Sequence, residues 1–93
     1  VIVAWHVEPG QTIAAHTHPE GQDTWTILSG HGDYQIDEQG NTVVVTSGDV
    51  VVAKRGQVHG VTCTSKDPLR FVSVVAPIEA GYVLLPPRSR VDT

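Results

Sequence analysis

The chain has 93 residues, a net charge of −4 and 17% charged residues. That length makes one domain with a small core, and the missing basic excess argues against nucleic acid as a partner. No run approaches the roughly 18–20 apolar residues of a membrane span, and no secretory signal is visible; the single cysteine cannot close an internal disulfide and points to a reducing, cytoplasmic setting.

Val1 already lies in a strand-like run, which implies a natural chain that starts upstream and carries further N-terminal structure. In chain order the segments 1–7, 11–18, 24–28, 32–37, 42–46, 50–53, 58–64, 70–76 and 82–85 are each rich in Val, Ile, Thr or aromatics, the composition of strands. Between them stand turn clusters such as Glu8-Pro9-Gly10, Pro19-Glu20-Gly21, Ser47-Gly48-Asp49 and Arg55-Gly56-Gln57. Short strands at even spacing with no competing helical period predict an all-β sandwich or barrel over 1–85. The remainder, 86–93, is proline-led and polar and reads as an extended C-terminal tail.

Two spaced sets of residues carry the chemistry. The first is Gly10, His16, His18, Asp23 and Gly30; the second is Gly48, Lys54, Gly56, His59 and Cys63. His16 and His18, at i and i+2 on a strand, project the same way with Cα atoms roughly 6.5–7 Å apart, close enough for both rings to reach one metal ion. Folding of the β structure would bring in His59 as a third ligand. Parity puts Asp23, Trp25 and Ile27 on one face of the next strand, and His59, Val61 and Cys63 on one face of a later one. The expected pocket lining beside the ligands is therefore Trp25, Ile27, Val61 and Cys63. Ile13 should face away unless its strand bulges, and Ala14 should join the inward set. Phe71, Ser73 and Val75 share a face whose direction is open.

The two sets resemble the paired motifs of the cupin superfamily. Gly10, His16, His18, Gly30, Gly48, Gly56 and His59 match the family pattern, whereas Asp23 stands for its usual glutamate, Lys54 for proline and Cys63 for asparagine. The resemblance implies a double-stranded β-helix, or jelly-roll barrel, of short antiparallel strands. It also implies a homodimer paired through outer strands, which would cover the sheet edges at 1–7 and 82–85. The metal set is His16, His18 and His59, with Asp23 as an anionic fourth member. Counting forward from His18 by the family's shorter spacing selects Gln22 instead, and a bare three-histidine site is the remaining alternative.

Three nitrogens and one carboxylate suit a divalent transition metal: Fe, Mn, Ni, Zn or Cu. Two catalytic routes follow for a small polar organic substrate, dioxygenase-type oxidation at a redox-active Fe, Mn or Cu ion, or Lewis-acid isomerisation, epimerisation, ring opening or elimination on a sugar acid. A non-catalytic module that binds a small effector is the third reading. The Lys54-Arg55 pair is read as solvated, or as positive charge offered to an acidic substrate at the mouth. His6 and His31 are read as surface residues.

Overall fold

A computed structural model describes residues 1–86; all of the expected tail except Pro86 lies outside them. The described residues contain nine strands and no helix, so none is available to cross a membrane. The strands are β1 (Ile2–Val7), β2 (Thr12–Thr17), β3 (Gln22–Ser29), β4 (His31–Gln35), β5 (Thr42–Thr46), β6 (Val50–Ala53), β7 (His59–Cys63), β8 (Leu69–Ala76) and β9 (Val83–Leu84). Every end lies within two residues of its expected position. They form two antiparallel sheets, in the orders β1-β8-β3-β6 and β5-β4-β7-β2-β9.

Alternation decides what lies between the sheets. Trp25 and Ile27 from β3, Leu69 and Phe71 from β8, Val61 and Cys63 from β7, and Tyr34 from β4 all turn inward and are buried. Trp25 stacks on Phe71 with ring centroids 4.1 Å apart and meets Tyr34 edge-on at 5.2 Å. Trp25 also meets His59 edge-on at 5.6 Å, so the aromatic cluster adjoins the histidines.

The outward face of the β1-β8-β3-β6 sheet is less ordinary. Strand register places Ile2, Val74, Thr24 and Val52 in one row and Ala4, Val72, Thr26 and Val50 in the next. Neither row carries a formal charge, and Ile2, Val50, Val52 and Val74 are exposed.

One irregularity matters for the site. In β2, Ile13 pairs with Val61 and His16 with His59, so Ala14 and Ala15 together oppose Gly60 alone. This is a β-bulge, which shifts side-chain parity by one residue. Gly60 permits it, because a Cβ there would meet the Ile13 carbonyl oxygen at 2.8 Å and Ala15 at 3.0 Å. Ile13 therefore turns inward on the same side as His16, and Ala14 is exposed.

Candidate metal centre

His16 comes from β2, His18 from the turn that follows it, Asp23 from β3 and His59 from the start of β7. All four are buried, with relative exposures of 4%, 8%, 3% and 1%. Each offers one ligand atom, and these atoms lie within 4.8 Å of one another. Gln22, the rival for the acidic position, is exposed. Four polar, titratable side chains converging in a small apolar barrel incur a large desolvation cost unless something binds them.

The orientation of the rings is set by backbone. Nδ1 of His16 faces the Ala14 carbonyl oxygen at 2.7 Å, Nδ1 of His18 faces that of Gly81 at 2.7 Å, and Nδ1 of His59 faces that of Gln57 at 3.2 Å. A carbonyl only accepts, so each Nδ1 donates, and a neutral ring then presents its Nε2 lone pair. Such a carbonyl partner is the usual second support of a metal-binding imidazole.

The carboxylate is aimed as well. Ser73 Oγ donates to Asp23 Oδ1 at 2.6 Å, leaving Oδ2 to face His59 Nε2 at 3.0 Å and His18 Nε2 at 3.3 Å. Burial pushes the Asp23 carboxyl up, but a hydrogen bond from His59, given whenever the metal-free ring carries a proton on Nε2, and one from Ser73 outweigh it and hold the group below the ordinary carboxylate range. The Trp25 indole N–H pulls the same way by proximity, although it completes no hydrogen bond. Burial, reinforced by the neighbouring imidazoles, holds His16 below its ordinary value and so favours the neutral, ligating form.

A divalent ion fits this arrangement on structural grounds. Both nitrogens of His59 face acceptors, and a neutral ring has one N–H to give. His18 Nε2 is buried without a hydrogen-bond partner among the described residues. A cation among the three Nε2 atoms and Oδ2 would satisfy every one of these acceptors.

His16, His18 and Asp23 open onto a cavity of about 150 Å³ whose walls include Val3, Trp5, Ile13, Trp25, Val75 and Tyr82, whereas His59 is not in its wall. Of the expected lining residues, Trp25 is in the wall. Ile27, Val61 and Cys63 face inward as parity requires but lie deeper in the hydrophobic core. Cys63 Sγ approaches Ser65 and Asp67 and not the histidines. Parity fixes the face of a residue, not its depth along the barrel, and that is why three of the four lining assignments fail. A shallower groove of about 300 Å³ runs past His6, Gln11 and Thr12, sharing Trp5 and Ile13 with the cavity; among the described residues no ligand cluster opens into it.

Ser73, Gly81 and Tyr82 escaped the sequence reading as site residues. A serine amid the apolar run of β8 was the available signal for the first; a backbone carbonyl leaves none for Gly81. Arg55 is tied to Glu20 and to the Pro19 carbonyl, so it offers no free charge at the mouth. His6 and His31 are exposed, paired with Glu8 and Thr64.

The cupin domain model matches residues 3–75. Solved structures share the fold. One is an uncharacterized conserved protein with a double-stranded β-helix domain from Klebsiella pneumoniae, 48% identical at a TM-score of 0.87 over 91% of this chain and 73% of that one. Another is described as a predicted oxalate decarboxylase from Thermotoga maritima, 25% identical at a TM-score of 0.75 over 91% of this chain and 66% of that one. An oxalate oxidase, 23% identical at a TM-score of 0.79, aligns with 90% of this chain, which spans 45% of its length and shares its fold. No curated protein sequence matches.

Proposed function

The chain belongs to the cupin domain family, and on that premise we propose that it is a metal-dependent enzyme carrying out dioxygenase-type oxidation of a small, mostly apolar organic molecule. The ion, on this route a redox-active Fe, Mn or Cu, would be held by Nε2 of His16, His18 and His59 and by Oδ2 of Asp23. A redox-active ion there supplies the electronic route between O₂ and a substrate that chelates it.

The observation that carries the choice of substrate is the wall of the cavity. Among the described residues no Lys or Arg lines it, and Asp23 brings its only carboxylate. A sugar acid would need hydrogen-bond partners for several hydroxyls. The one hydroxyl-bearing aliphatic side chain present, Ser73, already donates to Asp23. Trp5, Trp25 and Tyr82 instead offer flat apolar surface, which suits a ring or conjugated chain with oxygen donors at one end. The same surfaces exclude water from around the ligands. The Lewis-acid route on a sugar acid and the non-catalytic module therefore draw less support from the lining.

A second reading, oxalate chemistry, is favoured by the likeness to the Thermotoga protein. The lining weighs against it, because a dianion beside Asp23 would have only the ion to compensate its charge.

The test is metal analysis of protein purified without added metal, followed by oxygen uptake against catechols, β-diketones, thiols and oxalate. Uptake with a catechol or β-diketone and none with oxalate is the expected result. Turnover of oxalate, or of sugar acids under argon, would replace the proposal with the corresponding rival. Binding without turnover of any of them would leave the non-catalytic module.

A further inference from the structure

The segment after β8 turns back across the mouth of the site. It is anchored by Ala80, which is buried at 2% relative exposure. Ala80 sits so close to Gly21 that a Cβ on Gly21 would meet the Ala80 Cβ at 2.3 Å. Glu20 N donates to the Ala80 carbonyl at 2.8 Å, and Leu85 N donates to that of Ala15 at 3.0 Å, closing the segment at both ends. Between these anchors two consecutive residues reach the histidines. The Gly81 carbonyl receives His18 Nδ1 at 2.7 Å, and the Tyr82 ring lies on the His16 ring with centroids 4.6 Å apart and planes 26° apart. Tyr82 also meets His18 edge-on at 5.9 Å.

We propose that residues 80–82 form a strap that belongs to the metal centre, with Gly81 and Tyr82 as positioning residues for His18 and His16. The inference rests on the metal-binding reading. When the strap is docked, His18 has one tautomer and His16 one ring plane. When it lifts, Nδ1 of His18 loses its acceptor and the His16 ring is free to turn away from the other ligands. An ion that binds the docked arrangement better must, by reciprocity, hold the strap down. The strap is built to respond, because β9 has two residues and Tyr82, Val83 and Leu84 are exposed; short, exposed elements open most easily.

The experiment uses the full chain and Co(II) as probe. Removing an outer partner of a metal-bound imidazole lowers affinity by about 10–100-fold, so Tyr82→Ala should weaken Co(II) by about tenfold or more and alter its visible spectrum. Tyr82→Phe, which keeps the ring, should restore both. In wild-type protein, Co(II) should slow hydrogen exchange at the amides of Glu20 and Leu85, neither of which is a ligand. In the metal-free form, Tyr82→Ala should shift the His16 ring resonances in NMR spectra, an effect independent of any ion. Unchanged affinity and spectrum in Tyr82→Ala would overturn the strap and leave the metal site standing. Wild-type protein that binds no Co(II) would overturn both. Exchange at Glu20 and Leu85 indifferent to the ion would remove the coupling.

Discussion

Replacing Ser73 by alanine isolates the contact that aims the carboxylate. Ser73 and Asp23 are both almost fully buried, and their 2.6 Å hydrogen bond runs from a hydroxyl to an ionised oxygen. A hydrogen bond to a charged group contributes about 1.5–3 kcal/mol, and burial here keeps water from replacing it. For a domain of this size about 1 kcal/mol moves the melting temperature by roughly 4–8 °C. A loss near 2 kcal/mol should therefore lower the midpoint of the metal-free protein by about 8–16 °C at pH 7. Ser73 is also one reason the Asp23 carboxyl sits low, so the variant should raise that group towards its ordinary range. The penalty should shrink as the pH falls through the Asp23 pKa, where the carboxylate is neutralised in both proteins. Thermal melts by circular dichroism in the presence of a chelator read both effects. Metal affinity gives a second measure, expected to fall by about tenfold as Oδ2 loses its fixed direction. A midpoint within about 2 °C of wild type at pH 7 would refute the reasoning, since it would mean the contact contributes well under 1 kcal/mol.

Alanine at His16, His18 or His59 should each lower metal occupancy sharply by elemental analysis, and full occupancy in a His16→Ala/His18→Ala double variant would rule the site out. Because burial holds His16 below its ordinary value of 6.5, the unfolded chain takes up that proton first. Metal-free stability should then be complete above about pH 6.5 and decline below it, with a further loss as Asp23, held below its ordinary 3.8, is protonated. Denaturant titrations that show no decline between pH 7 and pH 5 would contradict this. The homodimer expected from the open edges at 1–7 and 82–85, where β1 and β9 end their sheets, is here proposed to extend over the chargeless outward rows beside β1, so light scattering should give twice the 10.0 kDa of one chain. Val52→Lys or Val74→Lys should halve that mass, and a wild-type mass of one chain at micromolar concentration would refute it.

Strand placement was legible because the turns announce themselves. The motif glycines Gly10, Gly30, Gly48 and Gly56 all adopt positive φ, between 73° and 93°, where other residues are strained. Fixed offsets between such turns fix strand length, and strand length with alternation fixes face. That chain of reasoning brought Asp23 rather than Gln22 to the cluster. It failed at Ala14, which is exposed, for the local reason that turns Ile13 inward: two residues of β2 oppose Gly60, and one extra residue reverses the parity of everything before it.

What the sequence hides is of another kind. The ligand nitrogens belong to side chains and leave a pattern, whereas the carbonyls of Ala14, Gln57 and Gly81 that select their tautomers belong to backbone that any residue supplies. Two of these carbonyls lie two residues before the histidine they hold, so local strand geometry delivers them once the histidines are in place. The third comes from 63 residues beyond His18 and depends on the small side chain of Ala80 fitting against Gly21. The identity of the ligands is thus a local property of two short segments, while the tautomer of His18 and the ring plane of His16 under Tyr82 are properties of the closed chain. A change at Ala80 or Gly21, neither of them a metal ligand in this arrangement, should therefore disturb His18 and, through Tyr82, His16 more than His59. The difference is measurable from the three imidazole resonances, and equal disturbance of all three would show that the orientations are not set separately.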